Sequence, residues 1–241
     1  MKKVKHLIVA ILFLTTYMPF ATAQKQAWHW YFGYNAGIDF SSGAPGVVTN
    51  GAINCLEGVA SMSDSLGNLL FYTDGRNVYD ATHNNMPNGF NLLGHTSSTQ
   101  SAVIVKKPGA NNLYYIFTMD YNHDGLSAGD GFNYSIVDMN LNGSLGDVVT
   151  ANMPIRANVF EKICATKHGN NMDYWIMIND WIDDDIYAYL LDSTGLNLTP
   201  VISNAGPFHG QDIGQSAGYF KANRQGNKLA LALWAKTRLI F

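Results

Sequence analysis

The sequence predicts an all-β fold, a β-propeller-like set of repeated antiparallel sheets with about four blades present and the ring incomplete. Three observations carry that expectation. The stretch Glu57 to Gly75 (EGVASMSDSLGNLLFYTDG) reads as one whole hairpin: a strand over Val59 to Ser63, a turn on Asp64, Gly67 and Asn68, and an apolar strand over Leu69 to Thr73. Looser copies follow at Gln100 to Asp120, Glu161 to Asp180 and Gln215 to Trp234, each with a glycine-bearing turn (KKPGANN, KHGNN, NRQGN) before its second strand. A unit that recurs in this way buries its apolar faces against its own neighbours. The composition agrees, because 14% charged residues, 12% aromatics and 23 glycines suit short strands and tight turns, and helical periodicity is nowhere sustained.

The chain opens with Lys2, Lys3 and Lys5, an apolar run from Leu7 to Leu14, and the small residues Ala21, Thr22 and Ala23. This is the layout of a secretory signal peptide over residues 1–23, and the run is too short for a spanning helix. The expectation is a secreted or cell-surface protein with no membrane insertion after cleavage and one domain over residues 24–241. Removing the signal takes the formal charge from −3 to −6. A mildly acidic chain lacks the electrostatic footprint that nucleic acid or an anionic membrane would require, so neither is an expected partner. Cys55 and Cys164 are the two cysteines. Export permits a disulfide; the other reading is two small buried thiols.

Residues 24–40 hold Trp28, Trp30, Tyr31, Phe32, Tyr34 and Phe40, which reads as a strand wedged into a core with bends at Gly33 and Gly37. Val47 and Val48 follow a polar turn. Beyond the first hairpin come a strand over Asn77 to Asp80 and a loop whose Pro87, Asn88 and Gly89 favour a turn. The second copy continues through Asn112 to Met119 and Phe132 to Met139, the third through Tyr174 to Asn179 and Ile186 to Leu191. The fourth ends at AKTRLIF with no outer strand, and this predicts a domain truncated at its C-terminus.

When the four hairpins are registered, one position keeps its chemistry at the start of each first strand: Glu57, Gln100, Glu161 and Gln215. Propellers turn their innermost strands toward a central channel, so these four side chains are the candidate binding set at its mouth. The alternative role is to cap the strand starts by bonding neighbouring backbone.

Several segments resemble the N-terminal domain of large surface proteins exported by the type IX secretion system of gliding Bacteroidetes, a group named for PKD repeats or gliding motility. They are WYFGYNAGIDFSSGAP (Trp30 to Pro45), TNGAINCLEGVASMSDSLGNLLFYTDG (Thr49 to Gly75), MPNGFNLLGHTSSTQSAVIVKKPG (Met86 to Gly109), FNYSIVDMNLNGSLGDV (Phe132 to Val148) and EKICATKHGNNMDYWIMIND (Glu161 to Asp180). The resemblance implies a propeller-like domain at the front of a secreted or surface protein, followed in the family by adhesion-type modules and a sorting domain. It brings no catalytic residues with it.

Asp120, Asn122 and Asp124 ahead of Gly125 have the spacing of a calcium loop, and Asp130, one place before the twelfth position, would complete the set only in a different loop geometry. The twelfth position is Gly131 rather than Glu, and the flanks read as strands, so an EF-hand is excluded. What is left is a calcium site in a β-loop or a solvated hairpin loop. Asp180 with Asp183, Asp184 and Asp185 reads as a solvated turn, the other reading being a metal site. Gly214 to Gly218 matches G-x-S-x-G, yet a strand pattern follows where the nucleophile elbow needs a helix, so the match is taken as chance. No zinc pattern occurs among the seven histidines, and neither His168 nor His209 has a recognisable partner. No cofactor beyond calcium is expected.

The function expected is a non-enzymatic exported module for binding, display or adhesion, whose partner is a surface ligand, glycan or protein. The competing expectation is a secreted propeller enzyme of hydrolase or lactonase type, because the turn DSLGNL resembles turns of such enzymes. Two of the four channel-mouth residues are amides, which cannot move protons as carboxylic acids do, and that favours binding.

Overall fold

The computed structural model describes residues 25–121, 129–183, 185–205, 213–234 and 239–240. The signal segment expected over residues 1–23 lies outside them. The fold is all-β, with five antiparallel sheets, none of them closed on itself. The first holds β1 (His29–Phe32), β2 (Ala36–Asp39) and β3 (Gly46–Val48). The second runs β4 (Ala60–Ser63), β5 (Leu69–Thr73), β6 (Asn77–Asp80) and β7 (Asn85–Phe90). The third runs β8 (Ala102–Lys106), β9 (Leu113–Met119), β10 (Phe132–Asp138) and β11 (Asp147–Arg156). In the fourth, β12 (Val159–Lys167), β13 (Tyr174–Asp180) and β14 (Ile186–Asp192) are followed by β15 (Gly195–Leu196) and β16 (Val201–Ser203), both paired to β14. The fifth holds β17 (Phe220–Ala222), β18 (Leu229–Ala232) and β19 (Leu239–Ile240).

The four sequence repeats are the opening hairpins of sheets two to five, paired antiparallel as expected. Each turn is closed by the same backbone bond: Asp64 N–H to Asn68 O (2.9 Å), Lys107 to Leu113 (2.9 Å), His168 to Asp173 (2.9 Å) and Asn223 to Lys228 (3.0 Å). Side chains reinforce it. Asp64 Oδ1 accepts from the amides of Leu66 (2.8 Å) and Asn68 (2.9 Å), and Asn223 Oδ1 serves Asn227 and Lys228 in the same way, both at 3.0 Å. Gly67 takes φ +95° in the first of these turns, in the left-handed region that a glycine occupies without strain.

Successive side chains on a strand point to opposite faces, so a sheet packed on both sides is apolar at consecutive positions. β9 shows this. Tyr115, Phe117 and Met119 pack with Ile163, Ile176, Ile178 and Tyr189 of the fourth sheet, whereas Tyr114 and Ile116 pack with Phe71, Val78 and Met86 of the second. A third cluster joins Tyr31 to Tyr72 between sheets one and two, and a fourth joins Cys164 and Met177 to Phe220 between sheets four and five. Four separate apolar layers thus lie between five sheets stacked face to face. The sheets adjoin in chain order along their first strands, β1 beside β4, β4 beside β8, β8 beside β12 and β12 beside β17.

Three readings need correction. Residues 29–39 form the hairpin β1–β2, where one bent strand was expected, and of the aromatics on or beside β1 only Tyr31 is buried, stacked on Tyr72 at 4.4 Å. Trp30, next to Tyr31 on the strand and so on the opposite face of the first sheet, stays 50% exposed, and Tyr34, in the turn after β1, stays 64% exposed. Residues 85–90, read as a loop, are the outer strand β7. Pro87 is tolerated there because an edge strand needs only one side of its backbone hydrogen bonds. Finally, β11 extends over ten residues, Asp147–Arg156, to which the sequence pattern assigns no strand. Its burial pattern is irregular and its pairing with β10 shifts register, which hides the alternation that identifies a strand.

Candidate functional site

The four residues registered at the strand starts do not share one environment. Glu57 is exposed, whereas Gln100, Glu161 and Gln215 are 5%, 1% and 1% exposed. Gln100 acts as a peptide group laid between sheets. Its Nε2 donates to Ile163 O at 2.9 Å, and its Oε1 accepts from the amides of Ile163 (3.3 Å) and Phe220 (2.7 Å). One side chain of the third sheet thereby satisfies backbone on the first strands of the fourth and fifth. Glu161 Oε2 accepts from Thr99 N (3.1 Å) and Thr99 Oγ1 (3.4 Å), tying the fourth sheet back to the third. The backbone carbonyl of Gln215 accepts from the buried Lys162 ammonium. Around Glu57 the chains come so close that a Cβ on Gly58 would lie 2.1 Å from Ser101 N, which only glycine avoids. Gln100 and Glu161 stand where strands of neighbouring sheets meet and leave backbone groups that ladder pairing does not satisfy. The bonds reach into adjacent sheets rather than capping their own strand.

Of the calcium set, Asn122 and Asp124 lie outside the described residues. Asp120 and Asp130 are adjacent: Asp120 Oδ1 accepts from Tyr121 N and Oδ2 from Asp130 N, both at 2.7 Å. They line a cavity of about 310 Å³ together with Arg76 and His95. Among the described residues no group of three or more His, Cys, Asp or Glu side chains is placed to hold a metal ion. In the second acidic run, Asp180 is buried and ion-paired to Arg156, Asp183 accepts from Tyr187 Oη (3.1 Å), Asp185 accepts from Asn204 Nδ2 (2.7 Å), and Asp184 lies outside the described residues. Ser216, centre of the G-x-S-x-G match, is fully buried, and its Oγ accepts from Glu161 N at 3.3 Å. His209 lies outside the described residues, and His168 packs against Trp175 with ring centroids 5.3 Å apart.

Cys55 and Cys164 are both buried free thiols. Cys55 belongs to the layer between sheets one and two and Cys164 to that between sheets four and five, so the fold keeps them apart. Burial pushes both thiols up from their usual pKa, which keeps them protonated and unreactive.

The larger concavity lies at the opposite end of the same strands. The last residues of β4, β8, β12 and β17 (Ser63, Lys106, Lys167 and Ala222) and the four turns after them line one cavity of about 1270 Å³. Its walls carry the rings of Tyr114, Tyr174 and Trp175, and amides including Asn112, Asn171, Asn223 and Gln225. Lys106, Lys167 and Arg224 supply positive charge, and Asp64 is the one carboxylate among the lining residues. Lys106 and Lys167 hold equivalent positions, each paired across the hairpin with a tyrosine, Tyr114 or Tyr174. Their ammonium groups sit 6.0 and 5.9 Å from those ring centroids. Burial raises the Asp64 carboxyl, but hydrogen bonds from Asn68, Leu66 and Gly67 outweigh it and hold the group below the usual carboxylate range.

Sequence reasoning compared the repeats at their strand starts and missed this end. The signal was available: KKPGANNLYY and KHGNNMDYW both place a lysine before the turn and a tyrosine after paired asparagines. No family model, curated protein or solved structure matches the chain.

Proposed function

We propose that the chain is a propeller-like binding module of an exported or cell-surface protein, acting by display or adhesion rather than catalysis. The observation that carries the reading is the convergence of four hairpin turns, remote in sequence, on a single cavity of about 1270 Å³ with polar, aromatic and cationic walls. Ligand sites combine apolar walls with a few placed polar groups, and this cavity has both. The propeller component is supported by the face-to-face stacking of meander sheets in chain order, with their first strands side by side. The exported component is supported by the composition of residues 1–23.

The test is to present the purified protein to immobilised glycans and surface proteins, and in parallel to generic ester, lactone and glycoside substrates. The module should be retained on one ligand class and turn over none of the substrates. Turnover that disappears in Glu57→Gln, the exposed member of the strand-start set, would replace a binding role with a catalytic one.

A further inference from the structure

We infer that the turn-end cavity takes an acidic oligosaccharide, its anionic groups held by Lys106, Lys167 and Arg224 and its hydroxyls by the amides between them. The inference rests on the binding-module reading and specifies its ligand.

Charge gives the first reason. Acids outnumber bases in the whole chain, 18 to 15, yet the cavity lining holds three cations against Asp64 alone. The Asp64 carboxylate is already occupied by the amides of Leu66 and Asn68 and by Asn68 Nδ2. The acids on nearby turns are engaged by neutral donors, Asp138 by Asn112 Nδ2 (2.5 Å) and Asn140 N (2.9 Å), and Asp173 by Asn170 Nδ2 (2.6 Å). None of them pairs with a cavity cation: the ion pairs among the described residues are His29–Asp39 and Arg156–Asp180. Lys167 Nζ donates to Asn171 O at 3.3 Å, and an ammonium has three donors, so it keeps capacity for an anion.

The second reason is the company these cations keep. A compact inorganic anion would use the charges and leave the rest of the cavity unused. Here the planar amides of Asn111, Asn171 and Gln225 share the cavity wall with the half-buried faces of Tyr174 and Trp175. Adjacent ring hydroxyls match the amides, and the apolar faces of sugar rings match the aromatics. A cavity of about 1270 Å³ also exceeds the roughly 300–1,000 Å³ that suits a drug-sized ligand. An oligomer of several rings fills it. The recurrence of the Lys and Tyr pair in adjacent sheets would hold two anionic groups of one oligomer.

The experiment titrates the protein with oligogalacturonate, with the same oligomer fully methyl-esterified, with a sulfated galactan oligomer and with hexaglutamate, following tryptophan fluorescence because Trp175 lines the cavity. The variant is Lys106→Gln/Lys167→Gln/Arg224→Gln, three exposed positions whose replacement leaves the apolar layers untouched. At least one acidic oligosaccharide should bind, carboxylated or sulfated, with affinity that falls as salt rises. The triple variant should bind it about tenfold or more weakly, as should the wild type when the carboxylates are esterified. No binding of either acidic oligomer, equal binding after esterification or in the triple variant, or hexaglutamate bound as tightly as the sugar, would each overturn the inference. Equal binding of the neutral oligomer would leave the binding-module reading standing. Cleavage of the oligomer would overturn that reading and leave the charge selection in place.

Discussion

Replacing Gln100 with leucine should cost the fold about 3–5 kcal/mol, the most damaging single change at the strand-start end. Leucine keeps much of the volume, so the loss comes from hydrogen bonding rather than from a cavity. The glutamine side chain serves Ile163 O, Ile163 N and Phe220 N in an interior where it is itself 5% exposed. Without it, one carbonyl and two amides are buried without partners, each at about 1–3 kcal/mol, with some of the sum recovered by local adjustment. The three groups belong to β12 and β17, so the damage falls on the packing of sheets three, four and five together. Urea unfolding should show a lower midpoint at an unchanged slope, and the melting temperature should drop by roughly 10 °C. The exposed Gln225→Leu in the fourth hairpin turn supplies the control and should be close to neutral. A loss below about 1 kcal/mol for Gln100→Leu would mean that water or neighbouring groups replace the amide, and that the sheets are not joined through it.

The second large effect is expected from Arg156→Met. The Asp180 side chain is completely buried, and its Oδ2 accepts from Arg156 Nε across the junction between β11 and β13, that is, between the third and fourth sheets. The guanidinium also lies 3.8 Å from the centroid of the Tyr187 ring, which shields it further. Burying an ion pair gains little over apolar packing, but removing one partner leaves the other charge uncompensated, at about 3–5 kcal/mol. The remaining bonds to Asp180, from the amides of Ile182 (2.7 Å) and Asp183 (3.4 Å), soften the loss without neutralising the charge. Adding Asp180→Asn should restore most of the lost stability, because a neutral amide oxygen still accepts from Ile182. If the double variant is no more stable than Arg156→Met alone, packing of the arginine stem rather than the stranded charge is what matters.

Much of this fold could be read from local chemistry. Hairpin turns carry their instructions in a few residues, and Asp64, Gly67 and Asn68 or Asn223 and Gly226 specify closure without help from the rest of the chain. The strands Leu69–Thr73 and Asn77–Asp80 fall where alternation and turn residues place them. Outer strands were harder to see, since β7 and β11 are only partly covered and their side chains follow no strict period. The N-terminal aromatics misled for a related reason: aromatic density measures apolar surface, and whether a neighbouring sheet covers that surface is a matter of topology. Trp30 and Tyr31 are adjacent in sequence, yet one is half exposed and the other buried.

The candidate site was legible as a repeat and illegible as a location. Gln100 and Glu161 keep their chemistry because strands of adjoining sheets meet at their positions and need donors and acceptors, a requirement that sequence registration cannot tell apart from ligand binding. The cavity sits one strand length away, where Lys106 and Lys167 recur at a position that is occupied by Ser63 and Ala222 in the other two hairpins. Chemistry shared by two repeats of four is a weak pattern in a sequence. It gains meaning once the fold brings those two repeats side by side.

The central claim is that hairpin turns far apart in the chain surround one cavity, and amine cross-linking tests it without any ligand. A bifunctional amine reagent long enough to cross the cavity should join Lys106 to Lys167 within single folded molecules, and peptide mass spectrometry should find that bridge lost in urea. Recovery of Lys106 joined only to its chain neighbour Lys107, with Lys167 modified singly under the same conditions, would contradict the convergence of the turns.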